Sequence, residues 1–127
     1  MEANKRSTEA LVEGTTGHMV DKAGRNFIRK EGFGSNFVHG TGHGFGLEIH
    51  EYPSITYKSR VKIEKSMAVT IEPGIYISPD NKNVDECWRG IGIRIEDDVL
   101  VTEGVPNTLS SDAPKTISEI EAIMASS

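Results

Sequence analysis

Three of the chain's four histidines, His39, His43 and His50, fall within one short stretch, and six of its 13 glycines lie around them between Gly32 and Gly46. His39 and His43 bracket Gly40-Thr41-Gly42, and His50 follows shortly after. Imidazole is the commonest side-chain ligand for first-row metals, and its pKa near 6.5 also suits proton transfer. Two carboxylates come later. Glu72 closes the run Met67-Ala-Val-Thr-Ile and precedes Pro73-Gly74. Pro73 removes a ladder donor and Gly74 permits unusual backbone angles, so the chain bends just beyond a carboxylate. Arg94 and Glu96 share one face of the next extended stretch because strand side chains repeat every two residues. Taken singly, Glu72 reads as a strand-end acid beside a turn, and Arg94 with Glu96 as the wet face of an antiparallel sheet. Taken together with the histidines they read as a His/Glu metal site, hydrolytic or structural. Such a mixed donor set suits Mn, Co, Fe or Zn rather than a thiolate-seeking metal. A helical H-E-x-x-H site is excluded, because Ser54 stands where the second histidine after His50-Glu51 is needed.

The elements that must carry these residues are legible in outline. Residues 2–13 are rich in helix formers and Gly14 is a natural stop. Thr16 is a fitting N-cap for a second helix, whose apolar stripe is Val20, Ala23, Phe27 and Ile28, and Gly32 ends it. Residues 32–50 are too glycine-rich for a helix interior; they predict a loop and short extended pieces in which glycine lets the backbone pass close to a neighbour. Residues 67–72 alternate as a strand, 75–77 resume it, and Ser78-Pro79-Asp80-Asn81 is a turn cluster. Residues 91–101 predict one strand with Ile91, Ile93, Ile95, Val99 and Val101 on its core face. Thr116 and Glu119 fit a capping box for a short terminal helix striped by Ile117, Ile120 and Met124. The order predicts an α+β fold with a largely antiparallel sheet.

Composition narrows the classes of function. The chain has 127 residues, a formal net charge of −5 and one cysteine, Cys87. That length suits one domain, 1–127, with a genuine core. No apolar run approaches the roughly 20 residues of a membrane span, and the opening MEANKRSTEA has no signal-peptide core. An internal disulfide and a cysteine zinc site are impossible with one cysteine, so a cytoplasmic setting is expected. The acidic balance argues against a nucleic-acid partner, which needs clustered Lys and Arg. No P-loop, G-x-S-x-G or C-x-x-C motif occurs.

Three ordered segments resemble the pita-bread metallopeptidases, the family of methionine aminopeptidase, Xaa-Pro aminopeptidase and prolidase. They are Phe37-Val-His-Gly-Thr-Gly-His-Gly-Phe-Gly-Leu-Glu-Ile-His-Glu51, Val69-Thr-Ile-Glu-Pro-Gly-Ile-Tyr76 and Gly90-Ile-Gly-Ile-Arg-Ile-Glu-Asp-Asp-Val-Leu-Val-Thr102. The likeness is greatest to the Xaa-Pro cleaving branch. It implies a curved, mostly antiparallel sheet with two N-terminal helices and a short C-terminal helix. It implies His43, Glu72 and Glu96 as metal ligands, with Glu96 bridging two ions when the site is complete. It implies His39 and His50 as unligated histidines that hold substrate and steady the tetrahedral intermediate, Arg94 as support, and Glu72 as the group that takes a proton from the attacking water. The metal would be Mn or Co, with Zn or Fe as alternatives. The substrate would be a peptide or dipeptide with proline second, its bond before proline cut by hydrolysis.

The sequence departs from the family in one respect. The dinuclear site also uses two aspartates on an upstream β-hairpin, and here the only aspartate before the histidines is Asp21, on a predicted helix. The expectation is a C-terminal part of a catalytic domain, inactive alone, holding at most one metal weakly. An uncovered sheet edge and apolar face predict self-association as a homodimer. Methionine aminopeptidase or a creatinase-like hydrolase are the competing enzymes on this fold, and a non-catalytic peptide-binding module is the competing reading of another class.

Overall fold

A computed structural model describes residues 1–126. Helix α1 (Glu2–Glu9) and helix α2 (Gly17–Lys30) come first, followed by seven short strands and helix α3 (Ile117–Ala125). Strands β1 (Gly42–Gly44), β2 (Glu51–Ile55), β3 (Ala68–Ile71), β6 (Asp97–Leu100) and β7 (Asn107–Thr108) form one sheet in the order β2-β1-β3-β6-β7. Strands β4 (Gly74–Tyr76) and β5 (Gly92–Arg94) form a second, two-stranded sheet. Every pairing is antiparallel. The α+β reading therefore holds.

Helix α2 begins where the N-cap signal puts it: Thr16 Oγ1 accepts a hydrogen bond from the Met19 amide. Helix α1 is shorter than predicted and ends at Glu9 rather than near Gly14. The reason is tertiary. Leu11 leaves the helical path to fill the core, and Gly14 donates its amide to the Ile63 carbonyl while Ile63 donates to Thr15. Leu11 and Val20 pack with Ile55, Ile63, Val69, Ile71, Val99 and Val101 as the main core between helices and sheet. A second cluster of Ala3, Ile28 and Phe37 lies beside Phe27, Phe33 and Ile75.

The single strand predicted over 91–101 is two strands. β3 pairs with β6 (Ile71 opposite Asp97) and β4 with β5 (Gly74 opposite Arg94), so one antiparallel ribbon passes from the larger sheet to the smaller. The ribbon breaks at Glu72-Pro73 on one side and Ile95-Glu96 on the other. Val99 and Val101 reach the core as expected, but Ile91 and Ile93 do not; Ile93 is 62% exposed. They line an apolar groove with Trp88, Ile75 and Phe27 on the outer surface. The terminal helix has its capping box, yet its stripe of Ile117, Ile120 and Met124 is also exposed.

Candidate metal centre

His43 sits in the middle of β1, flanked by glycines, between β2 and β3. A Cβ at Gly42 would collide with the Thr70 carbonyl oxygen, and one at Gly44 with that of Tyr52. The glycines thus let three backbones close around the histidine. Glu72 and Glu96 stand at the two breaks of the ribbon, between paired strands on either side. His43, His50, Glu72, Arg94, Glu96 and Asp98 share the wall of one open cleft of roughly 610 Å3, and His39 joins His43, His50, Glu72 and Arg94 around its extension. Five of the six residues singled out in the sequence therefore line one cleft, and His39 lines an adjoining hollow with four of them.

The hydrogen bonds fix how they face one another. His43 Nδ1 lies 2.9 Å from the Gly44 carbonyl oxygen, which can only accept, so Nδ1 carries a proton. Its Nε2 faces Glu72 Oε1 at 3.1 Å. With Nδ1 as the donor, the neutral ring presents a lone pair to a carboxylate oxygen, and either a proton or a cation satisfies both. That is the donor chemistry a divalent ion takes: an imidazole oriented through its other nitrogen by a carbonyl, next to a carboxylate. Thr70 fixes the carboxylate. Its hydroxyl lies 3.0 Å from Glu72 Oε1 and accepts from the His43 amide at 3.1 Å.

Arg94 spans the two acids. Its Nη1 is 3.7 Å from Glu72 Oε2 and its Nε 3.8 Å from Glu96 Oε2. These are ion pairs rather than short hydrogen bonds. With the guanidinium between them, Glu96 stands off from the His43–Glu72 pair. Among the described residues no three His, Cys, Asp or Glu side chains are close enough to form a ready metal cluster. Partial burial pushes the Glu96 carboxyl up from its usual range; the charge of Glu72 adds to this and that of Arg94 opposes it.

His39 is committed at both nitrogens. Nδ1 lies 2.6 Å from the Gly40 carbonyl oxygen and Nε2 3.0 Å from the Tyr76 hydroxyl. The exposed His50 ring packs against His43 at 4.3 Å, centroid to centroid, with the planes tilted by 46°. Sequence reasoning missed Thr70, Tyr76, Thr41, Asp21 and Arg25. Thr70 had a usable signal, since it shares the strand face of Glu72 two residues on. Asp21 had another: an acid beside Val20 on the buried stripe of α2, with Arg25 one turn later.

Fold and site together define a class, the pita-bread metallohydrolases, in which a bent antiparallel sheet gathers histidines and carboxylates. The chain belongs to metallopeptidase family M24, whose model matches residues 1–103. It is 43% identical over 103 residues to an Xaa-Pro dipeptidase of Pyrococcus furiosus, an alignment covering 81% of this chain and 27% of that protein. It is 45% identical over 85 residues to human Xaa-Pro aminopeptidase 3, covering 67% of this chain and 16% of that one. Among solved structures it superposes on proline aminopeptidase P II from Yersinia pestis with a TM-score of 0.81 and 29% identity, over 98% of this chain and 33% of that one. The chain thus spans about a quarter of the length of the Pyrococcus relative. No helix of the described residues is long and apolar enough to cross a membrane.

Proposed function

We propose that this chain forms the histidine–glutamate half of the active site of a divalent-metal Xaa-Pro peptidase, hydrolysing the bond before proline in a dipeptide or short peptide. The observation that carries the reading is the His43 Nε2–Glu72 Oε1 approach at 3.1 Å, with His43 Nδ1 already turned to a carbonyl. His43 and Glu72 would hold the ion, with Glu96 as the further carboxylate of the set. When bound, the ion supplies a Lewis acid for the scissile carbonyl and lowers the pKa of a water. Glu72 receives the proton of the attacking water at a carboxylate oxygen. His50, exposed on the cleft wall, donates to the substrate in this reading. His39 acts with Tyr76, whose hydroxyl it orients. Arg94 balances the two acids and contacts substrate.

Within this reading Asp21 is no metal ligand, since it is fully buried and paired with Arg25. Lacking the two aspartates of the family's site, the isolated chain holds one ion weakly and does not turn over. Mn or Co is the expected ion, Zn or Fe the alternative. A reducing, cytoplasmic setting belongs to the same reading, supported by Cys87, which is exposed and free. Copies of the chain pair through the apolar groove. The test is isothermal titration with Mn²⁺, beside His43→Ala and Glu72→Gln. One weak site, lost in both variants, is expected. Binding unchanged in both, or two tight sites, overturns the reading. A protein carrying the whole domain should then cleave Xaa-Pro dipeptides in preference to Met-initiated peptides and creatine.

A further inference from the structure

We infer that Asp21 and Arg25 on α2 are positioning residues for the cleft: an ion pair, buried at Asp21 and half-buried at Arg25, that holds the loop 37–41, and through it His39 and Glu72, in working register. The inference rests on the proposed role of His39, and its test is separable from that role.

Asp21 is fully buried, and each of its oxygens is used. Oδ2 accepts from Arg25 Nε at 2.7 Å. Oδ1 accepts from Arg25 Nη2 at 2.8 Å, from the Thr41 hydroxyl at 3.0 Å and from the Thr41 amide at 3.2 Å. The same guanidinium reaches on to the Phe37 carbonyl at 3.0 Å and the His39 carbonyl at 2.6 Å, and lies over the Phe37 ring at 4.0 Å. Thr41 completes the link, since its own carbonyl accepts from the Glu72 amide at 2.7 Å. One ion pair on a helix therefore fixes the backbone on both sides of Gly40 and, one bond further, the backbone of Glu72.

Stability alone does not account for such a pair. Taking two charges out of water costs several kcal/mol, and apolar residues of similar volume often serve a core as well. What the pair adds is direction. The planar fork of Arg25 offers donors in fixed geometry to Asp21 and to two loop carbonyls at once, which a lysine ammonium cannot do. The loop it grips has no ladder of its own at 37–40, so its conformation has to be imposed from outside.

The experiment uses the chain itself and reads the His39 ring nitrogens by long-range proton–nitrogen NMR. In the native chain His39 should be one fixed tautomer, protonated at Nδ1. Arg25→Lys keeps a cation beside Asp21 but cannot span both carbonyls. It should give a folded chain in which the two His39 nitrogen signals converge toward the averaged values of an untethered ring. A native tautomer in folded Arg25→Lys overturns the inference. Should Arg25→Lys fail to fold, the isosteric Asp21→Asn decides: averaging supports the inference, and an unchanged ring overturns it. His39→Gln tests the underlying reading separately, by the Mn²⁺-dependent binding of an Xaa-Pro dipeptide. Binding unaffected there removes His39 from the site while leaving the tautomer result intact, because that readout needs neither metal nor substrate.

Discussion

At the scale of single residues, Thr70 joins the two groups proposed as the first to meet the metal. Its hydroxyl contacts Glu72 Oε1 and the His43 amide. Thr70→Val keeps the shape and removes both contacts. Loss of such an outer partner lowers metal affinity by roughly 10–100-fold, so titration with Mn²⁺ should show that weakening. The His43 amide, left without this acceptor, should also lower stability by about 1–3 kcal/mol in urea unfolding. The histidines and carboxylates could be read from the sequence because their types are unusual in a glycine-rich loop and at strand breaks. Thr41 could not, because a loop hydroxyl gains its role only from where the loop is placed, and for Thr70 and Arg25 the sequence offered a face but not the partners that register and loop placement supply. The nearness of His39 to the other histidines was legible, but its commitment to Gly40 and Tyr76 was not.

At the scale of elements, the close approach of β1 to its neighbours makes the sharpest demand. Gly42→Ala puts a methyl group against the Thr70 carbonyl, and backbone cannot yield as a flexible side chain would. Overpacking of this kind typically costs about 1–3 kcal/mol, and here the upper end or beyond is expected; chemical denaturation of the variant measures it. The terminal helix yields a pH prediction. The Thr116 amide, the Thr116 hydroxyl and the Lys115 amide all bind the Glu119 carboxylate and lower its pKa from 4.5 to about 2. A depressed carboxylate adds stability above its ordinary value and loses it as pH falls through the folded one. The cap of α3 should therefore hold at pH 4.5 and be lost toward pH 2, with the Glu119 carboxyl carbon titrating near the lower value by NMR. Caps, turns and the α2 stripe were legible because their signals are local. The early end of α1 and the break at Ile95-Glu96 were not, since a core position for Leu11 and a change of sheet partner are decided by distant strands.

At the scale of the whole molecule, the groove between the two-stranded sheet and the helices leaves Trp88, Ile91 and Ile93 uncovered. An apolar patch of this sort drives association in water. Ile93 is 62% exposed, so Ile93→Glu should leave the fold intact while light scattering shows dimers giving way to monomers. A native chain that stays monomeric at high concentration sinks the pairing proposed here. The overall class of fold was legible from element order, but this face was not, because an unbroken 91–101 strand places those isoleucines in the core. That break has a mechanical side. Glu72 and Glu96 sit on opposite edges of the one joint between the two sheets, with the Ile95 amide and the Pro73 carbonyl 3.4 Å apart across it. The span between the carboxylates thus follows the angle at which the two sheets meet. A cation held by both acids would therefore fasten one sheet to the other, so that binding there would be felt as stiffness in the joint as well as charge in the cleft.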